Sequence, residues 1–199
     1  MQNEILLAVK NFHGHMCPGL AIGIRVAEKA LIEMGDRPGD EEVVAIVETD
    51  NCAVDAIQFI TGCTFGKGNL IHLDYGKNAF RFIRRRDAKA VRIIVKSENL
   101  RRSNENETAL NRKIREGIAT KDERKKLNDL REQRTNEILT MPLDELLVVQ
   151  NISPDIPHRA RIFNSVACDR CGEKTMETRL RILEGKLYCP ECFDALMKK

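Results

Sequence analysis

No apolar stretch in this sequence reaches the roughly 18 residues that a membrane span requires. The opening, MQNEILLAVKNFHGH, lacks the basic start, apolar run and small-residue cleavage site of a secretory leader. These absences lead us to expect a cytoplasmic protein with no membrane partner. Charge of one sign is scarce too. A net charge of +3 over 199 residues gives no chain-level footprint for nucleic acid. With 42% hydrophobic and 32% charged residues, the chain can bury a core and stay soluble, which excludes wholesale disorder. Its length suits one domain, or one domain and a small module. What it does have is seven cysteines. In a reducing compartment disulfides are a poor default for them. Four form two Cys-x-x-Cys pairs near the C-terminus, whereas Cys17, Cys52 and Cys63 are scattered through the first third.

Hydrophobic periodicity predicts a short helix over 4–12, interrupted by Gly14, and a second from Pro18 to near Gly35. Gly19, Gly23 and Ala27 share a face of that second helix, which lets another backbone approach closely. RPGD, 37–40, reads as a turn, and EVVAIVE, 42–48, as a buried strand. Thr49, Asp50 or Asn51 can cap a helix running to about Thr61. NLIHL, AFRFIRR and AVRIIV then read as three strands, the first pair joined by DYGKN and the second by a turn near Arg86 and Asp87. The expected fold class is α+β, with helices packed on a largely antiparallel sheet over residues 1–150. Within it, residues 97–137 read as a polar helical hairpin. It is either a solvated arm with charged faces or a site for an anionic partner. MPLDELLVV reads as a helix or an edge strand, and 151–166 as a linker with proline punctuation.

Residues 167–199 are expected to form a separate module. Cys168 and Cys171 pair with Cys189 and Cys192 across seventeen residues, the spacing of a four-thiolate structural zinc site. So short a piece cannot bury enough apolar surface to fold alone, and Zn²⁺ makes up the deficit. A knuckle, a hairpin through EGK and a terminal helix with Cys192 in its first turn make a treble clef, a zinc ribbon being the near alternative. Two zinc-bound thiolate pairs bring residues 168–199 to about −1, and Tyr188 and Phe193 are the only aromatics there. No nucleic-acid partner is therefore expected, and contact with protein is.

FHGHMCPG, from Phe12 to Gly19, places two histidines and a cysteine at the start of the second predicted helix. Cys52 stands likewise at the start of the next. Helix N-termini stabilise thiolates, and two such thiols beside His13 and His15 suit zinc or another late transition metal. Asp55, on the same helix face as Cys52, can orient a ligand or act as a general base. Cys17, Cys52 and Asp55 are the candidate catalytic residues, with Cys63 either an inert core thiol or a further ligand. His72 reads as a sheet histidine and His158 as a solvated one. GKGN, 66–69, lacks the phosphate-loop pattern. Arg81, Arg84, Arg85 and Arg86 can receive an anion or merely solvate a strand end.

FHGHMCPGLAIGIRVAEKAL, followed by ETDNCAVDAIQFITGCTFGKGNL and the trailing CDRCGEK…YCPECF, resembles the FmdE family of formylmethanofuran dehydrogenase. The resemblance covers roughly residues 5–150, and many members append a zinc finger. It implies an α+β core followed by a treble clef, and a homodimer, sometimes with exchanged segments, for which the arm at 97–137 is the candidate contact. It places the family's histidine–cysteine motif on His13, His15 and Cys17, and its second cysteine motif on Cys52 and Cys63. It also implies a link to a molybdenum or tungsten enzyme of one-carbon metabolism in methanogens, and so a larger oxidoreductase complex as partner. The chain carries no recognisable pterin-cofactor machinery, so the role implied is accessory. The expected function is metal binding, with a structural zinc in the finger and a second metal or thiolate site in the core. The alternative is a scaffold whose finger recruits a partner and whose core cysteines are packing residues.

Overall fold

The computed structural model describes residues 3–35, 40–100 and 105–198. All but Asp40 of the turn read at RPGD lies outside them. The chain divides into two units, Met1–Arg159 and Ala160–Lys199.

In the first unit, the periodicity near the N-terminus becomes α1 (Asn3–His13), which stops where Gly14 takes a positive φ of 95°. Helix α2 (Pro18–Met34) follows, with proline in its first turn, and ends at Gly35. Strand β1 (Val43–Val47) is buried along its whole length. Alternation explains how: Val43, Ala45 and Val47 join the large core beneath the helices, while Val44 and Ile46 face a smaller cluster on the other side of the sheet. Helix α3 (Ala53–Thr61) carries the chain across to β2 (Leu70–His72), which pairs with β1 in parallel. Next come β3 (Ala79–Arg84) and β4 (Lys89–Val95).

A long excursion follows: α4 (Ser97–Leu100), α5 (Glu105–Arg115) and α6 (Lys121–Thr140). Helix α6 starts with a capping box, in which the Thr120 hydroxyl accepts from Glu123 N–H and the Glu123 carboxylate from Thr120 N–H. MPLDELLVV resolves into both predicted alternatives, α7 (Leu143–Leu146) and edge strand β5 (Leu147–Asn151). The sheet order is β2-β1-β3-β4-β5, antiparallel except for β1–β2. The fold is therefore α+β on a mostly antiparallel sheet. One adjacency differs from the sequence reading. DYGKN connects β2 to β3, but β1 lies between them because α3 returns the chain to the far side of β1.

The second unit holds β6 (Ser165–Ala167) paired with β7 (Lys174–Met176), then β8 (Arg181–Leu183) paired with β9 (Lys186–Tyr188), and α8 (Pro190–Met197). Glu184 and Gly185 both have positive φ, 51° and 75°, which is what a two-residue hairpin turn requires.

Candidate metal centre

Among the described residues of the first unit, one group of soft donors converges. One ligand atom each from His13, Cys17 and Cys52 lies within 4.8 Å of the others. Three local decisions bring them together. Gly14 ends α1 directly after His13, leaving that ring at the helix terminus. Cys17 caps α2 from an extended conformation, and its Sγ accepts from Leu20 N–H at 3.4 Å. The third is close approach of α2 to α3. A Cβ built on Gly23 would sit 2.3 Å from Ala53 O, and one on Gly19 would sit 3.2 Å from Cys52 Cβ. Only glycine allows the two helix starts, and so the two thiols, to meet.

Asp55 sets the histidine. His13 Nδ1 donates to Asp55 Oδ2 at 2.7 Å, and the other ring nitrogen, Nε2, lies 4.0 Å from Cys17 Sγ. This is the carboxylate–histidine arrangement that fixes a ring for metal ligation. The donors fit a late transition metal: two sulfurs and one imidazole, all half-buried. The two helix starts treat their thiols differently. Asn51 Oδ1, not Cys52, accepts from Ala53 N–H at 3.0 Å, and Cys52 makes no side-chain cap bond. Burial, and then the neighbouring Cys17, push the Cys52 thiol above its ordinary value.

The other sequence candidates lie elsewhere. His15, beyond Gly14, stacks on the His13 ring with centroids 4.7 Å apart and offers no atom to the converging group. Cys63 is fully buried, and its thiol donates to Val43 O at 3.4 Å; burial pushes it up as well. It therefore stands as a packing thiol, outside the group that contains Cys52. His72 is exposed on edge strand β2, and His158 is exposed as well. Of the arginines after Phe80, Arg81, Arg84 and Arg85 have their side chains engaged within the protein, and Arg86 bonds Glu42 through its backbone N–H. Arg81 and Arg92 both bond the buried Glu48, Arg84 bonds Asp87 and Met34 O, and Arg85 donates to Glu41 O and Pro157 O. The first part of the predicted linker is thus tied to the sheet by Arg85.

A cavity of about 720 Å³ opens beside the cluster. Cys17 lines it together with His15, Met16 and Ile22, and its other wall comes from the arm, including Arg131, Glu132 and Arg134. Helix α6 packs on α2, and Arg25 of α2 donates to Met141 O at the end of α6 at 2.6 Å. Read from sequence, these arm residues are solvated or partner-facing. Nothing in local spacing signals that α6 folds back over the start of α2.

In the second unit, one Sγ each from Cys168, Cys171, Cys189 and Cys192 lies within 4.8 Å of the others. The motif Cys-Pro at the start of α8 repeats the α2 pattern: Cys189 caps the helix and accepts from Cys192 N–H at 3.5 Å. The knuckle is pinned to β9 by Asp169 N–H donating to Leu187 O at 2.8 Å. Amide donors from Cys171 and then Cys189 draw Cys168 down to about 6. Desolvation, and then hydrogen bonding with Cys189, push Cys192 up to about 12. Four thiols crowded at this distance are a poor apo state and a closed tetrahedral set for structural zinc.

The model of the family described as "FmdE, Molybdenum formylmethanofuran dehydrogenase operon" matches residues 12–148. That described as "Prokaryotic dksA/traR C4-type zinc finger" matches residues 161–196. A protein of Archaeoglobus fulgidus named as a probable S-adenosyl-L-methionine-binding protein is 37% identical over 185 residues, 89% of this chain and 50% of the relative. The chain therefore spans about half the length of the curated relative it matches. A solved structure of a tungsten formylmethanofuran dehydrogenase FmdE-like protein from Syntrophus aciditrophicus is 23% identical, with a TM-score of 0.65. The match covers 96% of this chain and 91% of that one. At that identity the likeness speaks for the fold.

Proposed function

This chain belongs to the FmdE family, and from that premise we propose that it is a two-site metal protein. Its C-terminal unit carries a structural zinc, and its first unit carries a zinc or other late transition metal at His13, Cys17 and Cys52. The observation that carries the second site is the Asp55–His13 bond, because it anchors the ring through Nδ1 and turns Nε2 towards the sulfurs. Three protein ligands leave a coordination position open, and a metal there supplies Lewis acidity or a soft contact for sulfur. The chain's own part is positional. Leu20 N–H supports the Cys17 sulfur, Asp55 holds the proton at His13 Nδ1, and Cys17 is shared between the cluster and the cavity. The ligand in the Archaeoglobus relative's name, S-adenosyl-L-methionine, supports a small-molecule occupant for that cavity. An accessory role in one-carbon metabolism is the setting the family suggests.

Metal analysis of the purified full chain tests the two sites. Two equivalents are expected, falling to about one in Cys17→Ser and in Cys52→Ser while the finger keeps its own. A wild-type count of one that neither substitution changes overturns the core site.

A further inference from the structure

We propose that the cavity beside Cys17 binds a zwitterionic α-amino acid with a side-chain thiol. Its sulfur lies toward the cluster, its carboxylate on Lys10 and Arg131, and its ammonium on Glu132. This goes one step further than metal binding at His13, Cys17 and Cys52, and it rests on that reading.

Charges already compensated within the protein are not available to a ligand. The charged side chains lining the cavity are Lys10, Glu107, Arg131, Glu132 and Arg134. Arg134 is already engaged, by Glu107 at 3.6 Å and by Leu100 O. Arg131 gives one N–H to Asn111 Oδ1 at 3.0 Å, a neutral amide that leaves its charge uncompensated. Lys10 and Glu132 have no side-chain hydrogen-bond or ion-pair partner among the described residues. Two cations and one anion remain without a charged partner among the described residues, all three of them exposed to solvent. That set complements a carboxylate and an ammonium on one molecule, whereas a simple dianion would meet Glu132 as a like charge. The remaining lining is mixed: Asn128, Thr135 and Asn136 are polar, while Met16, Ile22 and Ile138 give an apolar part that suits a short methylene stem. Cys17, a member of the soft-donor cluster, lines the cavity as well, and the open position of a soft-ligand site prefers sulfur. The volume, about 720 Å³, lies within the range of small-molecule sites and leaves space for bridging waters. A metal held by His13, Cys17 and Cys52 would take the ligand's sulfur as a thiolate, with the thiol proton going to solvent.

Cobalt-substituted full chain, titrated with homocysteine, norvaline and mercaptobutyrate, tests this. Homocysteine is expected to shift the thiolate-to-cobalt absorption saturably and to release a proton. Norvaline, which lacks sulfur, is expected to leave the band unmoved. Mercaptobutyrate, which lacks the ammonium, is expected to shift it at about tenfold higher concentration, the loss of one charge-assisted hydrogen bond. Glu132→Gln should weaken homocysteine by a similar factor and leave mercaptobutyrate unchanged, while Arg131→Ala weakens both. Equal affinity for the two thiols, or indifference to Arg131→Ala with two cobalt ions bound, overturns the ligand assignment alone. A chain that takes up cobalt only in the finger overturns the metal site and this assignment together.

Discussion

His13 serves two neighbours with one ring. Nδ1–H goes to Asp55 and Nε2 faces sulfur, so the orientation of a candidate ligand depends on a carboxylate 42 residues away in sequence. Asp55 is half-buried and sits in the first turn of α3, where alanine is a good helix former. Asp55→Ala should therefore leave the fold intact and weaken metal retention at the core site by about 10- to 100-fold, read by competition with a chelator. Unchanged retention would show that His13 is not a ligand. At this scale the sequence is half legible. Three soft ligands within five residues announce a site, and the Cys-x-x-Cys pairs announce another. Which histidine joins the two thiols is not legible. The choice depends on Gly14 ending the helix between His13 and His15, and on which ring then reaches α3. Cys63, legible only as either an inert core thiol or a further ligand, has β1 and the core as its neighbours in space.

Helices and strands follow their local signals closely, because apolar period, proline at helix starts and glycine at helix ends agree with one another. Cys-Pro opens α2 and α8 alike, and in both the cysteine serves as cap and as a member of a thiol cluster. Strand neighbours are less legible, since the β1–β2 pairing depends on where α3 lands. The contact of α2 with α3 is the element on which the core site rests, and Gly23 is its tightest point. Adding a methyl there drives carbon to 2.3 Å from backbone at Ala53, which no rotamer change relieves. Gly23→Ala should cost about 3 kcal/mol of unfolding free energy in denaturant titration, and it should loosen the core metal by separating the helix starts that carry Cys17 and Cys52. A variant as stable as the parent would mean that the helices can part without cost.

At the scale of the whole sheet, one carboxylate governs the acid limit. Glu48 is fully buried at the end of β1. Its carboxylate accepts from Arg92 at 2.8 and 2.7 Å and from Arg81 at 2.9 Å, and the Arg92 bonds above all hold it down at about 2. Because the folded value lies below the ordinary carboxylate value of 4.5, this group stabilises the fold above that value and loses its contribution as pH falls from about 4.5 towards about 2. The loss expected is about 3 kcal/mol. Denaturant titrations across that range should show it in the parent and not in Glu48→Gln, acid release of metal being common to both. The two chains losing stability in parallel would sink the assignment. No described helix is long and apolar enough to cross a membrane.

The arm leaves the sheet at Val95 and returns at Leu147, two residues that face each other across adjacent strands, with Lys96 N–H bonded to Leu146 O at 2.9 Å. An insertion whose two ends meet like this is topologically a hairpin loop grown to about fifty residues, tied down by Ile138 and Leu146, which it sends into the core. One wall of the cavity can thus be exchanged while the soft-donor cluster, anchored on α1, α2 and α3, stays as it is. The arm's share of the cavity wall and the soft-donor cluster thus lie in separate stretches of chain, which leaves the two free to diverge at different rates.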